Sequence, residues 1–292
     1  MQYEIKIASC RALIDTRGAE LLSFKADKIE YIWQRDERYW TDSAPILFPN
    51  VCDLRKDKTI IEGQEYRIPR HGFLHDMEFS VEDVQPQSLV LKASHTEETR
   101  KMFPYAFAVH IVYKIRDQEL EIEFHVRNME RKTMYYQIGF HPGFCCPFEQ
   151  NEEFEDYRLQ FQRKETTFTP LLNDAMREIE SKTRNFEMKD TDRIDLKYSY
   201  FDRDVLVFDK IQSRKVSLLN KNGRGISIAF PDFEMLGIWT PAGKRAPFLC
   251  LEPWNGTCVY DYESDDFVRM RGIQKLLESE EKRYCVILRI EK

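Results

Sequence analysis

Phe107-Ala108-Val109-His110-Ile111-Val112-Tyr113-Lys114-Ile115, and after it Leu120-Glu121-Ile122-Glu123-Phe124-His125-Val126, repeat with a period of two. In an extended chain that period places every second side chain on the same face, so both segments read as strands. Phase also separates their histidines: His110 shares a face with Val112 and Lys114, and His125 lies with Glu121 and Glu123 on the polar side. Both read as structural or solvated residues. The same period recurs at Tyr3–Ile7, Leu89–Ala93, Tyr157–Phe161, Val216–Leu219, Ile226–Phe230 and Tyr284–Ile290. Helix signals are confined to Asp174–Lys182 and Met270–Glu278, with Gly272 weakening the second. Many short strands with turn signals between them predict a mainly all-β antiparallel sandwich or barrel with few short helices.

No Gly/Ser-rich or Pro-rich linker interrupts the 292 residues, so residues 1–292 are expected to form one domain, with the polar stretch Gln150–Arg193 as a surface excursion. A net charge of -6 with no local run of Lys and Arg argues against nucleic acid as a partner. Met1–Ile7 alternates from the start and has no apolar signal region, and no stretch is long and apolar enough to span a bilayer. Seven cysteines, an odd number with Cys145 and Cys146 adjacent, make a disulfide framework improbable and read as buried thiols in a reducing cytoplasm.

Against this background Phe248-Leu249-Cys250-Leu251 reads as a buried strand ending in Glu252-Pro253-Trp254. Proline holds the residue before it extended, so Glu252 leaves the strand end in a defined direction beside an apolar indole. Gly139-Phe140-His141-Pro142-Gly143 aims His141 in the same way, and Arg70-His71-Gly72-Phe73 follows Pro69 in a third turn. Carboxylate and imidazole have reference pKa values of roughly 4.3 and 6.5, so such a pair can supply one proton acceptor and one donor near neutrality. His71 and His75 have the spacing of metal ligands on a helix, but Pro69 and Gly72 oppose a helix and no third ligand follows. Neither a metal nor a cofactor is expected, and hydrolase elbows, phosphate loops and dinucleotide fingerprints are absent from the sequence.

The ordered set Gly18-Ala19-Glu20-Leu21, Ala44-Pro45-Ile46-Leu47-Phe48-Pro49, Pro69–Phe73, Gly139–Pro142, Leu236-Gly237-Ile238-Trp239 and Leu251–Trp254 resembles the aldose 1-epimerase family. It is similar in particular to the LacX-type bacterial branch of the galactose mutarotase-like superfamily. The resemblance implies a β-sandwich of the supersandwich type, a sugar bound in an open cleft, and cofactor-free interconversion of the α and β anomers of a hexose such as galactose or glucose. It implies Glu252 as the base, His141 as the acid, and His71 as a substrate hydrogen-bonding residue. Arg70, Asp204, Trp239 and Arg55 follow as substrate-binding candidates. For three of these a plainer reading stands beside the functional one: Asp204 as a turn residue, Trp239 as core and Arg70 as a surface arginine.

Two departures bear on substrate choice. Where the family usually has a Gly-Arg pair, this chain has Cys52-Asp53 with Arg55 nearby, and where Ala-Arg-Asp is common it has Leu74-His75-Asp76. A hexose 6-phosphate epimerase and a non-catalytic sugar-binding protein on the same scaffold therefore remain as alternatives. The partner expected is a small-molecule sugar, and a homodimer is a possible assembly. Glu252 is expected on the cleft floor, ionised at neutral pH and within a sugar ring's width of His141.

Overall fold

In the computed structural model, which describes residues 1–8, 10–173 and 178–292, Phe107–Arg116 and Glu119–Asn128 pair antiparallel with His110 opposite His125. Phe107, Val109, Ile111, Tyr113 and Ile115 are buried on one face. On the other, His110 lies 3.3 Å from Glu82 and His125 2.7 Å from Glu123. The hairpin sits inside a nine-stranded antiparallel sheet running Glu178–Asp195, Arg158–Asn173, Lys215–Leu219, Gly225–Ala229, Glu281–Glu291, Glu119–Asn128, Phe107–Arg116, Ser88–Ser94 and Ser80–Gln85. Every period-two segment of the sequence falls on a strand, with Tyr157 and Phe230 one residue beyond the strand ends, and Tyr3–Ile7 belongs to a separate four-stranded sheet at the N-terminus.

A six-stranded sheet faces the large one. Its path runs Leu206–Phe208, Met235–Trp239, Phe248–Asn255, Ile138–Phe140 and Ile46–Leu47, with Gly143–Cys145 also pairing to Phe248–Asn255. Apolar side chains of both sheets merge into one core, as in the ring pairs Phe124–Phe140 at 5.6 Å and Phe161–Phe208 at 6.0 Å. This is the sandwich the periodicity predicts, because two sheets with one apolar face each can bury those faces against one another.

The helix expectations fail. Glu178–Lys182 is strand and residues 174–177 lie outside the described residues; Met270–Glu278 holds the short strand Gln274–Leu276 after a single 3-10 turn. An unexpected helix, Glu97–Met102, is capped by Thr96, whose hydroxyl accepts from the Thr99 N–H. Gln150–Arg193 contains two long strands that carry the edge of the nine-stranded sheet. All seven cysteines are free thiols, and no helix among the described residues is long and apolar enough to cross a membrane.

Candidate active site

Phe248–Asn255 is buried at all eight positions, because both faces of this strand are covered. Leu249 and Leu251 point into the main core; Cys250, Glu252 and Trp254 share the opposite face under the segments around Trp40, Cys52 and Val205. Glu252 therefore lies in the middle of a strand and not at its end, as the proline beside it suggested. Gly237 is its cross-strand partner, and a Cβ there would come within 2.5 Å of the Trp254 ring. Only glycine lets the indole lie over the neighbouring strand beside the carboxylate.

His141 turns in from the connection between Ile138–Phe140 and Gly143–Cys145. Its N–H donates to Pro45 O at 3.0 Å, and the chain before Pro45 is held by Glu20, whose Oε1 accepts from the N–H groups of Ser43 and Ala44 at 2.6 and 3.0 Å. The ring packs against Trp40 at 4.9 Å and Trp239 at 5.8 Å. His141 Nε2 lies 3.0 Å from Glu252 Oε2. The approach is close without being aligned as a hydrogen bond: neither Glu252 oxygen nor His141 Nδ1 has a hydrogen-bond partner among the described residues. Glu252 is only 1% exposed. Burial pushes its carboxyl well above the usual range, helped by Cys52 and Asp204 and opposed by Arg70 and the Trp254 indole. Burial likewise lowers His141, to about 3. Both shifts favour the uncharged forms, against the expectation of an ionised Glu252.

His71 stands over this pair, its ring 5.4 Å from that of His141 and perpendicular to it. Its φ is +61°, an uncommon value for a residue with a Cβ, and the strain is offset by exchange of hydrogen bonds with Cys52. His71 N–H donates to Cys52 O at 3.0 Å and Cys52 N–H donates to His71 Nδ1 at 3.1 Å. The following residue has φ +77°, and a Cβ at Gly72 would sit 1.9 Å from Phe48 O. Arg70 Nε–H also donates to His71 Nε2 at 3.2 Å. Burial, His141 and Arg70 depress His71, keeping it neutral, and a neutral imidazole has a single acceptor nitrogen. His71 therefore accepts fully from only one of the two donors aimed at it, Cys52 N–H at Nδ1 and Arg70 Nε–H at Nε2.

A cavity of about 340 Å³ contains Glu252, His141, His71, Arg70 and Trp239, together with Trp40, Asp42, Asp53, His75 and Leu172. It adjoins a larger groove of about 810 Å³ through Asp53, Arg70, Leu172 and Cys258, and Asp204 lies in that groove. Asp204 is in a left-handed turn with φ +72°, its N–H donating to Phe201 O, so it combines the turn reading with a place near the site. Arg55 is not in either lining: its guanidinium joins Glu178, Asp265 and the carbonyls of Tyr260 and Glu263. The expectation that it binds substrate is corrected, because its donors are committed to the protein. Trp40, Asp42 and Leu172 were missed by sequence reasoning. Tyr39-Trp40, two aromatic residues directly after the charged run Arg35–Arg38, is the signal that could have found the first. Leu172 comes from a strand remote in sequence and leaves no such trace.

The family model for aldose 1-epimerase matches residues 1–260. The chain belongs to the aldose 1-epimerase family. Protein LacX from a plasmid of Lactococcus lactis subsp. lactis is 36% identical over 264 residues, covering 88% of each chain. The galactose mutarotase related enzyme of Lactobacillus acidophilus superimposes with a TM-score of 0.94 at 28% identity, covering 100% of this chain and 98% of its own. A galactose mutarotase-like protein of Lactobacillus casei gives 0.88 at 26%, covering 99% and 100%. The fold is thus the galactose mutarotase-like sandwich. As an aldose 1-epimerase family member the chain keeps a carboxylate and an imidazole in contact within a sugar-sized cavity.

Proposed function

We propose that this protein is a mutarotase exchanging the α and β anomers of a free hexose such as galactose or glucose. The observation that carries the reading is the 3.0 Å approach of His141 Nε2 to Glu252 Oε2 inside the cavity. Glu252 would take the proton from the anomeric hydroxyl while His141 gives one to the ring oxygen; the ring opens, the C1–C2 bond rotates, and closure with the protons returned gives the other anomer. Arg70, with His71 beside it, would hold the oxygen on which negative charge develops. Trp239 and Trp40 offer apolar faces for the carbon skeleton.

A phosphorylated sugar fits less well. Arg70 is the only Lys or Arg lining the 340 Å³ cavity among the described residues, and it faces Asp42, Asp53 and Glu252 there. A phosphate dianion would meet more carboxylates than cations. The test follows the optical rotation of freshly dissolved α-galactose and α-glucose beside glucose 6-phosphate. Acceleration on the free sugars, lost in Glu252→Gln and His141→Asn, is the expected result. Sugar binding by calorimetry with no acceleration would make the protein a sugar-binding module instead, and preference for the phosphate ester would reverse the substrate assignment.

A further inference from the structure

Cys250 precedes Glu252 by two residues on the same strand face, and neither the acid–base reading nor the substrate contacts use its thiol. One sulfur, one carboxylate oxygen and one imidazole nitrogen, from Cys250, Glu252 and His141, lie within 4.8 Å of one another, and all three residues are buried. Both oxygens of Glu252 lack hydrogen-bond partners among the described residues. We propose that Cys250, Glu252 and His141 bind a thiophilic divalent cation of the zinc class, which occupies the acid–base pair and blocks it.

The donor set suits such an ion. Zinc takes sulfur, nitrogen and oxygen ligands at roughly 2.0–2.3 Å in a tetrahedron, so three protein ligands leave a fourth position facing the cavity for water or a sugar hydroxyl. The charges close as well. A dication with one thiolate, one carboxylate and a neutral imidazole sums to zero, so a site that disfavours each anion alone accommodates both around the metal. Balanced, the step takes up one cation and releases to bulk water the protons the ligands hold, the Cys250 thiol's among them. Magnesium and calcium, which favour oxygen donors, have no comparable reason to bind. The three ligands carry no sequence signature: Cys250 and Glu252 are separated by one residue and His141 comes from a distant turn, so only the sheet brings them together.

Binding is read without turnover, so its outcome is independent of the mutarotase assignment. Chelator-treated full-length protein is titrated calorimetrically with zinc in buffers of different ionisation enthalpy, and with cobalt(II) followed by absorption. The expected results are one equivalent bound, proton release on binding, and a thiolate-to-cobalt charge-transfer band. Cys250→Ser and Cys250→Ala should each weaken binding by more than about tenfold and erase the band, whereas Cys258→Ala, removing another thiol of the cavity wall, should leave both. Unchanged binding in the two Cys250 variants, loss in Cys258→Ala instead, or magnesium bound as tightly as zinc would overturn the proposal.

Discussion

Burial moves the proton affinities of Glu252 and His141 in opposite directions. With the carboxyl raised and the imidazole lowered to about 3, the favoured arrangement is protonated glutamate beside neutral histidine. Those are the protonation states left after a glutamate base and a histidine acid have opened the ring. The ionised pair from which the proposed chemistry starts is then a minor form of the empty site, reached by moving a proton from Glu252 to His141 across their 3.0 Å contact. Removing either partner should lower turnover by about a hundredfold to ten-thousandfold, read by polarimetry on Glu252→Gln and His141→Asn. The pH profile should be bell-shaped with its acid limb towards about 3; an acid limb near the ordinary histidine value would show that His141 is not held neutral. Stability carries the same signature. His141 titrates near 6.5 when unfolded and about 3 when folded, so the unfolded chain binds the extra proton first and stability falls on acidification between those values. The slope from this one group approaches about 1.4 kcal/mol per pH unit. Glu252, its carboxyl raised by burial, contributes in the opposite sense, so denaturant unfolding of His141→Asn across that window should differ from the unsubstituted protein by about one proton, losing less stability on acidification.

Phe248–Asn255 shows how an element, and not a single residue, makes a carboxylate buried. In isolation the run Phe248–Leu251 followed by Glu252-Pro253 looks like a strand that stops. It continues because the face bearing Cys250, Glu252 and Trp254 is roofed by chain from distant positions, and that roof cannot be seen in the local pattern. What was legible locally was direction: Pro142 and Pro253 marked two aimed side chains, and the structure brings His141 and Glu252 into contact. Gly237 supports the arrangement by leaving room for the Trp254 ring. Gly237→Ala should cost about 1–3 kcal/mol by overpacking and disturb catalysis through the displaced indole, measured as Tm together with kcat/KM. Glu20 acts from further away, through Ser43, Ala44 and Pro45 to His141. Glu20→Ala should cost about 1–3 kcal/mol and lower kcat, although Glu20 is absent from the cavity lining.

At the scale of the whole molecule the sandwich was readable because period-two strands need only a partner sheet, and the strand segments found in sequence are strands in the structure. The two expected helices were not. Polar, charged stretches with few turn residues satisfy a helical pattern as well as an edge-strand pattern, and for Glu178–Lys182 the edge of a long sheet wins. Arg55 illustrates a different limit: a cationic residue near a motif is read as a ligand contact until its partners are seen. Those partners lie at Glu178 and between Tyr260 and Asp265, so Arg55 ties three remote segments together. Arg55→Ala should lower stability by about 1.5–3 kcal/mol in denaturant unfolding while leaving KM for the sugar nearly unchanged.

The hairpin made by Arg158–Asn173 and Glu178–Asp195 supplies Leu172 to the cavity wall, slips register at several points, and is clipped to the rest of the chain where Ile179 N–H donates to Val259 O. Glu252 and His141, by contrast, stand on short strands and a turn enclosed on both sides. Variation is therefore tolerated very unequally around one ligand. Insertions, deletions or recombination in the hairpin can redraw the wall that a sugar's remote hydroxyls would meet, while the enclosed strands leave Glu252 and His141 untouched. Specificity can diverge among descendants of this chain on a much shorter mutational path than its chemistry.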